Sequence, residues 1–172
     1  MGIIFPITSM IRLFTFGMAA GMQPIIGYNY GAGHRKRVKE TFFHACRVNF
    51  FVVLLFVVFI IIFADKVVGL FSRNNPELTS LSTHAIRIFL FMTPIGIINI
   101  LSARYFQAVG KGSQAIIIGL SGQLFIFLPV LFVLSFLYKL DGIWFSQPLT
   151  NILAFVVTSL FIVKEMRFLS AK

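Results

Sequence analysis

From Phe50 to Ala64 the chain carries no polar side chain at all. A run of this kind has to leave water. About 20 mostly apolar residues cross the roughly 30 Å of a bilayer's hydrocarbon, and the sequence offers five such stretches, at about 3–26, 43–63, 84–103, 114–137 and 143–163. Lipid gives a backbone no outside hydrogen-bond partner, so each stretch is expected to be helical. Runs such as Phe50-Phe51-Val52-Val53-Leu54-Leu55-Phe56 do not alternate as barrel strands do. Hydrophobic residues make up 58% of the 172 and charged residues 12%, against about 25% charged in soluble domains. The 22 phenylalanines exceed what a soluble core of this size can hide. The fold class expected is an all-α integral membrane protein, a bundle of about five transmembrane helices.

The net charge of +10 is gathered on one side. Arg35, Lys36, Arg37 and Lys39 follow the first stretch, Arg104 and Lys111 the third, and Lys164, Arg167 and Lys172 the fifth. On the other side Lys66, Arg73 and Lys139 are offset by Asp65, Glu77 and Asp141. Basic loops stay in the cytoplasm, which puts the C-terminus inside and the N-terminus, five spans earlier, outside. His34-Arg35-Lys36-Arg37 is then a cytoplasmic loop that also suits anionic headgroups, and no nucleic-acid partner is expected. Met1-Gly2-Ile3-Ile4 has no basic n-region, so a secretory signal is not expected. A first span with nothing ahead of it to orient it reads as a chain whose beginning has been lost.

Between the spans, Gly27 to Gly33 reads as a glycine-rich exit, Val67 to Phe71 as a short interfacial helix, and Asn75-Pro76 as a helix cap and first turn. Gly17 and Gly21 make a small-xxx-small pair that permits close helix approach. Lys139 to Gly142 is a short outer turn joining antiparallel neighbours, with Trp144 as an interfacial anchor. Prolines sit in or beside four of the spans, as in transporters with broken or kinked helices and also in static membrane helices.

Enzymatic chemistry is poorly served. The carboxylates Glu40, Asp65, Glu77, Asp141 and Glu165 all fall in loops or at span ends, with no pair inside a span for acid–base work. His34, His44 and His84 lack metal-ligand spacing, and there is no phosphate-binding loop for ATP. Cys46 is alone, so no internal disulfide forms, and it reads as a small apolar side chain. No cofactor and no metal are expected. A membrane-embedded transferase would need acidic or histidine clusters at a membrane face, and none is present.

The residue that stands out is Arg12, well inside the first span. A charge at mid-bilayer costs about 2.5–3.5 kcal/mol on insertion scales. It either lines a cavity and helps close two lobes, or snorkels to the outer face. Arg47 and Arg87 lie near span ends, where snorkelling suffices. Gln23, Asn99, Gln123, Gln147 and Asn151 are uncharged polar groups at membrane depth. Each suits a substrate path or a hydrogen bond between helices, worth about 0.6 kcal/mol on average.

Gly21-Met22-Gln23-Pro24-Ile25-Ile26-Gly27-Tyr28-Asn29-Tyr30-Gly31-Ala32-Gly33 resembles the G-x-Q-P-x-x-G-Y-N-x-G-A segment of multidrug and toxic compound extrusion (MATE) transporters. Phe106 to Lys111 resembles their F-Q-A-x-G-K turn, and Asp141-Gly142-Ile143-Trp144 with Gln147-Pro148 resembles the start of their last helix. The resemblance implies that the five spans correspond to helices eight to twelve of twelve, part of the C-terminal lobe, in a bacterial inner membrane. It adds Asn29 to the candidate residues and matches Arg12 to an arginine often seen in helix eight. It implies a cation-coupled antiporter exporting amphipathic or cationic drugs, with H+ or Na+ bound mainly outside this segment. Span three has no Asp or Glu, unlike members that bind their coupling ion there. A lipid-linked sugar flippase is the related alternative, expected to line its cavity with several arginines. An inactive remnant is another. The missing N-terminal lobe, or a second copy related by a pseudo-two-fold axis, would complete the cavity.

Overall fold

A computed structural model describes residues 4–69 and 76–170. The described elements are helical: α1 (Ile4–Gly31), α2 (Arg35–Ile62), α3 (Ala64–Gly69), α4 (Pro76–Leu90), α5 (Thr93–Ala108), α6 (Gly112–Leu120), a π-helical turn (Ser121–Phe125) and α7 (Phe127–Ser170). The anticipated cap at Asn75 and the side chains of Arg73, Glu77 and Lys172 lie outside the described residues.

The helices are longer than the apolar stretches. Helix α1 continues through Tyr28, Asn29 and Tyr30 to Gly31, so the glycine-rich exit is mostly helix. Gly33 ends it with φ +76, while His34 N–H donates to the Asn29 carbonyl at 2.9 Å. Helix α5 stops the same way: Gly110 has φ +76, and Lys111 N–H donates to the Phe106 carbonyl at 2.8 Å. These are glycine-terminated caps that satisfy orphan carbonyls in a left-handed turn. The basic run expected in a loop instead forms the first turns of α2, which starts at Arg35. Once the backbone has left hydrocarbon, charged side chains extend the helix into the headgroup layer at no desolvation cost.

The third stretch is a broken span. Helices α4 and α5 meet at a bend of 51° after Leu90. Pro94 follows in the first turn of α5, where its missing N–H would have had no intrahelical partner. The fourth stretch is interrupted too. Pro129 has no N–H to donate to the Phe125 carbonyl, and just before it the ladder widens, with Ile126 N–H donating to Ser121 O at 2.9 Å. The chain reverses at Lys139, whose φ of 50° and ψ of −120° are non-helical. The turn is tighter than the four-residue loop expected: Gly142 lies directly against the backbone of Leu134, and a β-carbon there would overlap that carbonyl.

Two apolar clusters fill the bundle, one at each end. One joins Ile4, Ile11, Val57, Ile86, Leu90 and Trp144; the other joins Met22, Ile26, Phe42, Leu101, Tyr105 and Met166. Between them lies a polar waist, where Thr15, Asn49, Ser102 and Thr158 are almost fully buried. The Asn49 amide donates to Thr15 Oγ1 at 3.3 Å, and Thr158 Oγ1 donates to Asn99 Oδ1. The outside carries Leu55, Phe59, Phe132, Phe136 and Leu160 well exposed, which only lipid can solvate.

Two local expectations change. Trp144 is 6% exposed and stacks edge-on against His84 inside the first cluster, so it anchors helix packing rather than the lipid interface. Gly17 and Gly21 have open space where a β-carbon would stand and bring no helix close. Glu165 lies in the last turns of α7, at a span end as expected, but is buried there.

Candidate functional site: a polar cleft along α1, α5 and α7

Helices α1, α5, α6 and α7 enclose a cleft of about 260 Å³. Five of the seven predicted residues line it: Arg12, Asn99, Gln123, Gln147 and Asn151. They come from four separate elements and meet because the broken spans aim them inward. The π-turn rotates Gln123 into the cleft, as such bulges often do at working positions. Gly96 and Gly122 make room for the amides. A β-carbon at Gly96 would sit 2.6 Å from the Asn151 side chain, and one at Gly122 would sit 2.8 Å from the Asn99 amide nitrogen.

The amides are partly committed to one another and to the frame. Gln147 donates to Asn151 Oδ1 at 3.1 Å. Asn99 donates to the Ile118 carbonyl at 3.4 Å while accepting from Thr158, which ties α5 to both sides of the α6–α7 hairpin. Thr150 lines the cleft with a buried hydroxyl that has no partner among the described residues. Arg12 is exposed toward the cleft, and no described residue pairs with it.

Gln23 and Asn29 are not in the cleft. Gln23 is half-buried. Asn29 is 8% exposed and its amide donates back to the Ile25 carbonyl at 2.9 Å, within the α1–α2 corner. The segment they belong to packs tightly: Gly27 faces the carbonyl of Ala108, where a β-carbon would come within 3.3 Å. The two motif segments thus touch each other at the basic end.

Sequence reasoning overlooked four residues. Arg104, counted as a loop cation, lines the cleft, donates to Gln107 Oε1 at 3.2 Å and lies 5.8 Å over the Phe16 ring. Asn49 is buried at mid-depth in α2, immediately before the run Phe50 to Ala64 that carries no polar side chain. Glu165 and Lys111 form a buried pair at the basic end, joined by the Tyr105 hydroxyl at 3.4 Å from Glu165 Oε1. The signal for Glu165 was available: a lone acid among Lys164 and Arg167 on a predicted helix face. Outside the cleft, Arg87 reaches Asp65 at 3.4 Å instead of snorkelling free.

Two larger grooves, of about 680 and 1310 Å³, lie along α2. The second holds Lys36, Glu40, His44 and Arg47 at the basic end, and neither groove is lined by a predicted site residue.

The MatE family profile matches residues 1–133. The multidrug export protein MepA of Staphylococcus haemolyticus is 28% identical over 96% of this chain, and that of Staphylococcus aureus strain MW2 is 30% identical over 84%. The chain spans about a third of their length, 36% and 32% respectively. Among solved structures, a MATE transporter in complex with MaD5 superposes with a TM-score of 0.90 at 21% identity, covering 99% of this chain and 38% of that one. An outward-facing multidrug resistance MATE family transporter of the MOP superfamily gives 0.88 at 22% identity, covering 99% and 39%. By sequence profile and by fold, this all-helical membrane chain belongs to the MATE family of transporters.

Proposed function

We propose that residues 1–172 form part of the C-terminal lobe of a cation-coupled multidrug exporter, the spans corresponding to helices eight to twelve, with the basic end and the C-terminus in the cytoplasm of a bacterial inner membrane. The observation that carries this reading is the convergence of Arg12, Asn99, Gln123, Gln147 and Asn151 on one cleft from four elements. Amides and a hydroxyl among apolar walls suit amphipathic compounds of varied shape, since they offer both donors and acceptors. The cleft is one wall of a path whose other wall is supplied by a first lobe or a second copy. No described carboxylate lines it, so H+ or Na+ is bound mainly elsewhere in the transporter.

One observation favours the flippase alternative. A flippase is expected to line its cavity with several arginines; the sequence sets only Arg12 well inside a span, and Arg104 joins it in the cleft.

The test is efflux of rhodamine 6G from cells lacking their own exporters, with the protein expressed from its full reading frame. Asn151→Ala and Gln147→Ala are expected to slow efflux about fivefold at matched expression, and Gln23→Ala to leave it unchanged. Equal efflux in all three variants overturns the assignment of the cleft.

A further inference from the structure

We infer that the cleft contains an anion-binding subsite, made by Arg12 and Arg104 of its lining with Phe16 beneath Arg104, which takes the carboxylate, sulfonate or phosphate of an amphipathic aromatic compound. This rests on the transport reading above and names the substrate class of the same site.

The charge inventory leads there. Each described carboxylate is held by a base outside the cleft: Glu40 by Lys36 at 3.9 Å, Asp65 by Arg87 at 3.4 Å, Asp141 by His84 at 3.9 Å and Glu165 by Lys111 at 2.5 Å. None of them lines the cleft, whereas two arginines do. A guanidinium carries five N–H donors. Arg104 gives one hydrogen bond to Gln107, and Arg12 gives none to any described residue. The cleft therefore offers a surplus of donors and two positive charges that no described carboxylate offsets, and a concave lining of one sign raises the local concentration of a counter-charge.

The geometry supplies the rest of the ligand. Phe16 follows Arg12 by one helical turn, about 6 Å along α1; the residue is 44% exposed, lines the cleft and has Arg104 over its ring. Phe16 offers an apolar ring to an aromatic compound in the same lining as two guanidiniums, whose planar forks match carboxylate and phosphoryl oxygens. The facing amides of Gln147 and Asn151 are neutral and do not compete for the charge.

The test uses two xanthene dyes of similar shape and opposite charge, fluorescein and rhodamine 6G. Equilibrium binding is measured on the protein, expressed from its full reading frame, in phosphatidylcholine nanodiscs. The inference expects fluorescein to bind, Arg12→Gln and Arg104→Gln each to weaken it about tenfold, Arg→Lys to lose less, and rhodamine 6G to bind the glutamine variants no worse. Competition of fluorescein by added phosphatidylglycerol would also support the subsite and identify a lipid headgroup as its occupant. Rhodamine 6G binding without fluorescein binding overturns the inference and leaves the exporter standing; binding of neither dye overturns both. Equal loss of both dyes in the glutamine variants would show the arginines paired with carboxylates of another segment, and would also overturn it.

Discussion

Lys111 Nζ lies 2.5 Å from Glu165 Oε2, binding the α5–α6 corner to the last turns of α7. The side chain of Glu165 is 6% exposed and that of Lys111 27%, so the pair is largely screened from water. The Phe168 ring covers the ammonium at 5.0 Å, and Tyr105 completes the carboxylate's shell. Within a chain whose ends must stay registered across a membrane, this joint locks three helices at one level.

Breaking the joint from the two sides should not cost the same. Lys111→Met strands a buried carboxylate and is expected to cost about 3 kcal/mol. Glu165→Gln leaves a lysine that still reaches solvent, and is expected to cost about 1 kcal/mol. Thermal unfolding followed by a thiol-reactive dye on Cys46, the chain's single cysteine, reads both. A larger loss for Glu165→Gln than for Lys111→Met would remove Glu165 as the more sensitive member.

The reversal at Lys139 carries opposite predictions at two positions. Lys139 holds a conformation suited to glycine, so Lys139→Gly is expected to stabilise by about 1 kcal/mol. Gly142→Ala would drive a methyl into the Leu134 carbonyl, which is backbone and cannot swing away. It is expected to cost about 3 kcal/mol, measured in the same melting experiment. A neutral Gly142→Ala would show that the hairpin has room to open.

At the polar waist the expected effects are small. Thr158→Val removes one bond to Asn99, and Thr15→Val one from Asn49. Each should lower stability by about 0.6 kcal/mol, the usual worth of such a bond between membrane helices. Losses several times larger would mean that the waist, not the two apolar clusters, organises the bundle.

Topology is checked with reporter fusions after Lys39, Asn75, Lys111 and Lys139. They are expected to alternate inside, outside, inside, outside, as the distribution of basic residues requires. Two adjacent fusions reporting the same side would break the five-span arrangement.

Much of this protein is legible without coordinates. Apolar runs such as Phe50 to Ala64 dictate helices and lipid, because hydration of that much hydrocarbon and of an unpaired backbone is too costly for any other arrangement. The glycines at 33 and 110 mark helix ends for a local reason, their freedom to turn left-handed. The list of polar residues at membrane depth was likewise local, and five of its six members line the cleft, while Asn29, added by the resemblance, does not. What the tertiary structure decided is which of them meet. Arg104 stands far from Arg12 in the chain, and only the packing of α1 on α5 brings it over Phe16, one turn from Arg12. Lys111 and Glu165 are 54 residues apart, and nothing in either neighbourhood announces the other. Gln23 and Asn29 share the composition of cleft residues yet fall outside it, because helix rotation is set by the sum of contacts along α1 rather than by any side chain of its own. Local chemistry chooses helix, turn and medium; long-range packing chooses partners.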